Sequence, residues 1–220
     1  MIFVVLPAFN EEKKIGRVIR GLFEHGFENI IVVDDGSTDN TSIIAKVAGA
    51  TVVSHIFNRG QGAALQTGNE FALACGAQTI IHFDADGQFN PSDIHTGLLR
   101  LQTEQVDIIF GSRFLDKRSK IPFFKRFFVL PVSRLINNFF TGLQLTDVHN
   151  GFRIMRSNVA ENLIITQDGM AHNSEIPRLI KDKHFSYAEH PVEVVYFETG
   201  QGVGGGIKIL WDLIMAKFSK

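Results

Sequence analysis

Cysteine is almost absent from this chain: Cys75 stands alone among 220 residues. A disulfide framework and a Cys-rich metal centre are excluded. A reducing, cytoplasmic setting is permitted, and Cys75 itself is expected as a small buried apolar residue. Net charge is lacking too. The 22 Lys and Arg against 23 Asp and Glu leave a formal charge of −1, which excludes a whole-protein attraction to nucleic acid. No uncharged apolar run reaches the roughly 20 residues that a bilayer-spanning helix needs. The opening Met1-Ile2-Phe3-Val4-Val5-Leu6-Pro7 has no basic flank and too short an apolar run for a signal peptide, so it reads as a buried first strand. A soluble or peripheral protein is expected. After that strand comes Pro7-Ala8-Phe9-Asn10 rather than a glycine fingerprint, which argues against a dinucleotide dehydrogenase. Tyrosine (2) and tryptophan (1) are scarce, whereas phenylalanine reaches 20, and eight of these lie between Phe110 and Phe140.

What is present is an alternation. Apolar β-branched runs at Ile2–Leu6, Asn29–Asp34, Thr51–His55, Thr79–Asp84 and Val106–Phe110 read as strands. Between them, Glu11–His25, Thr38–Ala48, Gly62–Cys75 and Pro91–Glu104 carry helical spacing. Strands alternating with helices predict an α/β fold with a Rossmann-like, mostly parallel central sheet and helices on both faces. The second half is less regular: Phe123–Phe140 and His172–Lys181 read as helices, Gly151–Arg156 as extended, Phe185–Phe197 as one or two strands, and Ile207–Phe218 as an amphipathic helix. Neither repeat nor linker is visible, so residues 1–220 are expected to form one domain.

Ligands of open parallel sheets bind beyond the carboxyl ends of the strands. Three acidic or polar segments occupy such ends. In Phe83-Asp84-Ala85-Asp86-Gly87-Gln88, two carboxylates one residue apart can turn their oxygens toward one hard cation, Mg²⁺ or Mn²⁺. Such an ion would stabilise charge on a departing diphosphate. The blander reading is a loop that caps the helix beginning at Pro91. In Val33-Asp34-Asp35-Gly36-Ser37-Thr38-Asp39, a carboxylate can accept from a base or ribose, Gly36 allows a tight turn, and Ser37, Thr38 or Asp39 can cap the next helix. In Pro7-Ala8-Phe9-Asn10-Glu11-Glu12, Asn10 is a candidate N-cap, and Pro7 and Phe9 could wall a flat base. A fourth segment, Asn58-Arg59-Gly60-Gln61-Gly62-Ala63-Ala64, has small residues that let backbone approach a ligand, but it lacks the Lys-Ser/Thr of a P-loop.

Together these segments resemble the nucleotide-sugar half of a family 2, GT-A-fold glycosyltransferase. Gly111-Ser112-Arg113-Phe114 and Asp147-Val148-His149-Asn150-Gly151-Phe152-Arg153 narrow the resemblance to the dolichol-phosphate mannose synthase and polyprenyl-phosphate glycosyltransferase branch, over roughly Ile2 to Val195. The resemblance implies an inverting transfer of a hexose from a GDP- or UDP-sugar to a lipid phosphate. Residues 1–112 would form the nucleotide-sugar half and 113–220 the acceptor half. Pro7, Phe9, Glu11, Val33 and Asp35 would contact the nucleoside. Asp84, Ala85, Asp86 and Gln88 would serve the donor diphosphate, with Asp84, Asp86 and Gln88 around the metal.

A phosphate acceptor is already ionised at neutral pH, so the protein's task is placement and charge stabilisation. A hydroxyl acceptor would need a general base, for which Asp147 and Glu175 are the candidates; Glu175 could equally serve only to start a helix. From Arg113 to Arg134 there are seven basic residues and one acid, interleaved with Phe123, Phe124, Phe127 and Phe128. This pattern suits a membrane interface, and Arg113, Arg126, Arg134 and Arg153 are candidate forks for an acceptor phosphate. A core helix with a solvated basic edge is the competing view. A peripheral position on the cytoplasmic face of a membrane is expected. Gln201–Gly206 holds four glycines in six residues, a candidate lid or simply a flexible loop, with Lys208 as the nearby cation. His82, inside a strand, is expected to be packed rather than ligating. Three other functions compete: transfer to a hydroxyl acceptor in polysaccharide or glycan synthesis, a sugar nucleotidyltransferase, and a non-catalytic nucleotide-sugar-binding module.

Overall fold

A computed structural model of the chain describes residues 1–116, 118 and 142–195. Phe123–Phe140, Gln201–Gly206 and Ile207–Phe218 lie outside the described residues, as do Arg126, Arg134 and Lys208.

One seven-stranded sheet, in the order β3-β2-β1-β4-β6-β5-β7, carries strands from both halves of the sequence. Its strands are β1 (Ile2–Ala8), β2 (Ile30–Asp34), β3 (Thr51–Ser54), β4 (Thr79–His82), β5 (Ile108–Ser112), β6 (Arg153–Arg156) and β7 (Tyr187–Pro191). The helices among the described residues are α1 (Ile15–Glu24), α2 (Thr41–Val47), α3 (Gln61–Ala74), α4 (Ser92–Thr103), α5 (Ser157–Asn162) and α6 (His172–Asp182). β1 to β4 pair in parallel, and so do β5 and β7. β6 runs antiparallel to both its neighbours, β4 and β5.

The period-2 pleat sorts the apolar residues onto two faces. Val4 and Leu6 of β1 join Ile15, Val18, Ile19 and Leu22 of α1 in one core. Phe3 and Val5 face the other way, into a second core with Ala64 and Leu65 of α3 and Ile176 and Ile180 of α6. Both faces of β2 are buried, as its run of Ile and Val requires. α3 lies so close to β1 that a Cβ built on Gly68 would come within 2.3 Å of the Val5 Cγ1.

The differences from expectation are local. α1 begins at Ile15, because the chain from Glu11 to Lys14 makes a turn whose Glu11 carbonyl accepts from Lys14 and Ile15. α5 is an unforeseen helix, six residues long, too short to show a period. The described part of the Phe185–Phe197 stretch, up to Val195, holds β7 and a bridge between Phe89 and Val194. Cys75 is exposed, at the end of α3, rather than buried.

Candidate active site

The carboxyl ends of β1, β2 and β4 deliver the three expected segments to one edge of the sheet. The first two are laced together. Ser37 Oγ accepts from the Asn10 N–H at 2.9 Å, and Asn10 Oδ1 accepts from the Thr38 N–H at 2.9 Å. Asn10 therefore ties two loops rather than capping α1, and it takes a positive φ of 54°, which asparagine tolerates better than most residues. Asp39 accepts from Thr41 N–H at 2.9 Å at the start of α2, whose N-cap position is Asn40. Pro7 and Val33 are buried within their strands, Phe9 is exposed just past the end of β1, and Glu11 is half-buried and ion-paired with Lys14 at 3.0 Å. Asp35 is almost fully buried and already engaged. Its Oδ1 contacts His55 Nδ1 at 2.6 Å and accepts from Arg59 N–H at 2.9 Å, while Oδ2 accepts from Gly60 N–H at 2.7 Å. In this structure Asp35 organises the 55–60 turn.

Asp84 and Asp86 follow β4 directly, with Ala85 buried between them. Burial, then repulsion from Asp86, pushes the Asp84 carboxyl up to about 7, against the pull of Arg153 and Arg113 and the hydrogen bond from Gln61 Nε2 to Oδ1 at 3.0 Å. Asp86 is also raised, by burial first and by Glu11 among its neighbours, which brings the β1 loop up to the acidic pair. Its Oδ1 accepts from Gln88 N–H at 3.0 Å, and Gln88 O in turn accepts from Val195 N–H at 2.9 Å. Gly151 sits directly against Asp84: a Cβ there would fall 2.4 Å from Oδ2.

Two carboxyl groups held close, each destabilised as an anion, fit a divalent cation of the Mg²⁺ or Mn²⁺ type. Among the described residues no group of three or more His, Cys, Asp or Glu side chains could hold a metal. An ion on this pair would draw further ligands from elsewhere, such as diphosphate oxygens or water.

Arg153, expected as an acceptor-phosphate fork, is instead completely buried on β6, directly opposite His82 of β4. Its Nη2 donates to Asn173 Oδ1 at 2.7 Å and its Nη1 to Gly151 O at 3.3 Å. Burial lowers its pKa to about 10, and Asp84 opposes that shift. Arg153 is thus a fixed positive charge behind the acidic pair. His82 is packed as expected, with Nε2 2.8 Å from Asn69 Oδ1. His149 and His172 also surround Arg153, and burial and the arginine's charge lower both, His172 to about 4. The sequence gives His149, His172 and Gln61 no individual role in the site, since nothing in their spacing sets them apart.

Both candidate bases are committed. Arg113 forks onto Asp147, with Nε to Oδ2 at 2.6 Å and Nη2 to Oδ1 at 2.7 Å, and Asn150 Nδ2 adds a bond to Oδ2 at 3.2 Å. Glu175 accepts from the N–H and hydroxyl of Thr166 and from Gln167 N–H at 2.9 Å. Of the basic residues that follow Arg113, Arg118 is ion-paired with Asp93 and Asp116.

The sequence from residue 3 to 164 matches the family model described as glycosyl transferase family 2. This chain belongs to that family. An uncharacterized protein of Methanocaldococcus jannaschii is 40% identical, covering 98% of this chain and 92% of its own. The Methanococcus voltae UDP-N-acetylglucosamine–dolichyl-phosphate N-acetylglucosaminyltransferase is 30% identical over 100% of this chain and 97% of its own. The polyprenol monophosphomannose synthase of Mycolicibacterium smegmatis is 25% identical, over 94% and 82%. Among solved structures, Mycobacterium tuberculosis glucosyl-3-phosphoglycerate synthase, in complex with Mn²⁺, UDP and its product, superposes with a TM-score of 0.71 at 19% identity, over 93% of this chain and 74% of that one. The fold is therefore GT-A, and the chain is a family 2 glycosyltransferase whose relatives include enzymes named for dolichyl-phosphate and polyprenol acceptors.

Proposed function

We propose that the protein transfers a hexose, with inversion, from a GDP- or UDP-sugar to a polyprenyl phosphate. A divalent ion on Asp84 and Asp86, with Gln88 beside them, would neutralise the departing diphosphate. The nucleoside would lie over the β1 and β2 loops, near Phe9, Glu11 and Asp35. Arg153 would hold Asp84 in its charged form from behind.

One observation favours a phosphate acceptor over a hydroxyl. Asp147 is clamped by the Arg113 fork and Glu175 by the 166–167 loop. A carboxylate spending its lone pairs on fixed donors is a poor proton acceptor, and an ionised phosphate needs none. The names of the Methanococcus and Mycolicibacterium relatives point to the same acceptor class. Arg126 and Arg134 would receive the acceptor phosphate, while Arg113 holds Asp147.

Incubating the purified protein with Mn²⁺, a panel of radiolabelled UDP- and GDP-hexoses and either a polyprenyl phosphate or a soluble oligosaccharide tests this reading. Label in the lipid fraction is expected. Label only in the oligosaccharide would move the enzyme to glycan synthesis. Pyrophosphate release from a nucleoside triphosphate would make it a nucleotidyltransferase.

A further inference from the structure

We propose that Glu175 is a positioning residue for Asp84 that acts through the 166–168 loop and the Gly60-Gln61-Gly62 turn; the proposal rests on the metal-dependent transfer described above. Glu175 lies in the first turn of α6 and is only 6% exposed. Three donors meet its carboxylate: Thr166 N–H at 3.1 Å from each oxygen, the Thr166 hydroxyl, and Gln167 N–H at 2.9 Å. Bonds of this charge-assisted kind fix the loop more firmly than neutral ones would.

The other side of that loop bears on α3. Asp168 O accepts from Gly62 N–H at 2.7 Å and from Ala63 N–H at 3.3 Å, so the loop caps the helix with its own backbone. The approach leaves no room for side chains. A Cβ on Gly62 would lie 2.0 Å from Gln167 O, and one on Gly60 would lie 2.3 Å from Asp168 O. Gly60 also has φ +111°, a backbone conformation that suits glycine.

Gln61 stands between these two glycines, and its Nε2 donates to Asp84 Oδ1 at 3.0 Å. A rigid chain of contacts thus runs from Glu175 through loop backbone and helix terminus to the carboxylate assigned to the metal. Partners that orient a ligating carboxylate typically matter 10–100-fold for metal affinity or activity, as an order-of-magnitude expectation. Glutamine at 175 would keep the size but turn an amide N–H toward one of the loop donors.

The test compares Glu175→Gln, Gln61→Leu and the double variant. Amide hydrogen exchange reads the mechanical link without metal or donor. Manganese affinity is read separately, from the electron paramagnetic resonance of free Mn²⁺ in the presence of UDP or GDP. E175Q should speed exchange at Gly62 and Ala63 while the amides of β1 and β2 stay protected. Both single variants should weaken Mn²⁺ binding about 10-fold. The double variant should be no worse than Q61L alone, because the two changes interrupt one route. Unchanged exchange at Gly62 in E175Q, or losses that multiply in the double variant, would overturn the proposal. Should E175Q unfold, Glu175→Asp, which keeps the charge but shortens the reach, carries the same comparison. Absent sugar transfer by the wild type would sink the proposed function, while the exchange and Mn²⁺ data would still decide the role of Glu175.

Discussion

Asp84 is asked to be an anion where the surroundings make an anion expensive. Its carboxyl is raised to about 7, above its ordinary 3.8. A carboxyl whose folded pKa is raised contributes stability that is full at low pH and is lost as pH rises through the folded value. The metal-free protein should therefore lose melting temperature between about pH 4 and pH 7, and level off above that, relative to Asp84→Asn, which has nothing to ionise. His172, lowered to about 4, pulls the opposite way on the acid side, so the difference between wild type and D84N is the reading that counts. Manganese should restore the lost stability at pH 8 in the wild type only, because it binds the ionised form; the same pH slope in both proteins would remove Asp84 as its source. Asp86→Ala should cut turnover by orders of magnitude with the fold intact, since it removes a charged ligand. Steady-state assays beside thermal melts check this, and near-normal turnover would end the metal assignment. Asp84 and Asp86 stood out in the sequence because two acids one residue apart follow an apolar run, and the structure places both just past the end of β4. Arg153 was not, because arginine is so seldom fully buried that a sequence gives no reason to look for it inside.

The elements of the first half were legible because each strand is a run of Val and Ile and each helix after it keeps an amphipathic spacing. Strand order was harder to read. Nothing in Arg153-Ile154-Met155-Arg156 says that it will pair antiparallel with both β4 and β5, since the choice is made by contacts distant in sequence. Two glycines separate packing from chemistry at this scale. Gly68→Ala places a methyl 2.3 Å from Val5 Cγ1 and should destabilise the fold by ~1–3 kcal/mol in chemical denaturation, with turnover per folded molecule retained. Gly151→Ala places a methyl 2.4 Å from Asp84 Oδ2 and should cost on the order of 10²-fold in turnover through displacement of the acid. A G151A enzyme with normal kcat would show that Asp84 can shift without consequence.

For the molecule as a whole, partition between water and membrane is the open property. Among the described residues no helix is long and apolar enough to cross a bilayer. The basic, phenylalanine-rich sequence from Arg113 to Arg134 should instead carry the protein to anionic vesicles, with binding that weakens steeply as salt rises. Co-sedimentation with phosphatidylglycerol liposomes measures it, and absence of binding at low salt would count against the acceptor side of the proposal. Arg126→Ala should impair use of the lipid acceptor more than donor binding. The placement of β6 has a further consequence for biosynthesis. As the chain leaves the ribosome, Asp84 emerges about seventy residues before the glycine and arginine that complete its surroundings. Until β6 arrives, the flank of β4 that it will occupy offers unpaired N–H and C=O groups, a template for the wrong partner. A nascent chain stalled before Arg153 would thus be prone to aggregate, and the same late insertion both closes the edge and completes the surroundings of Asp84.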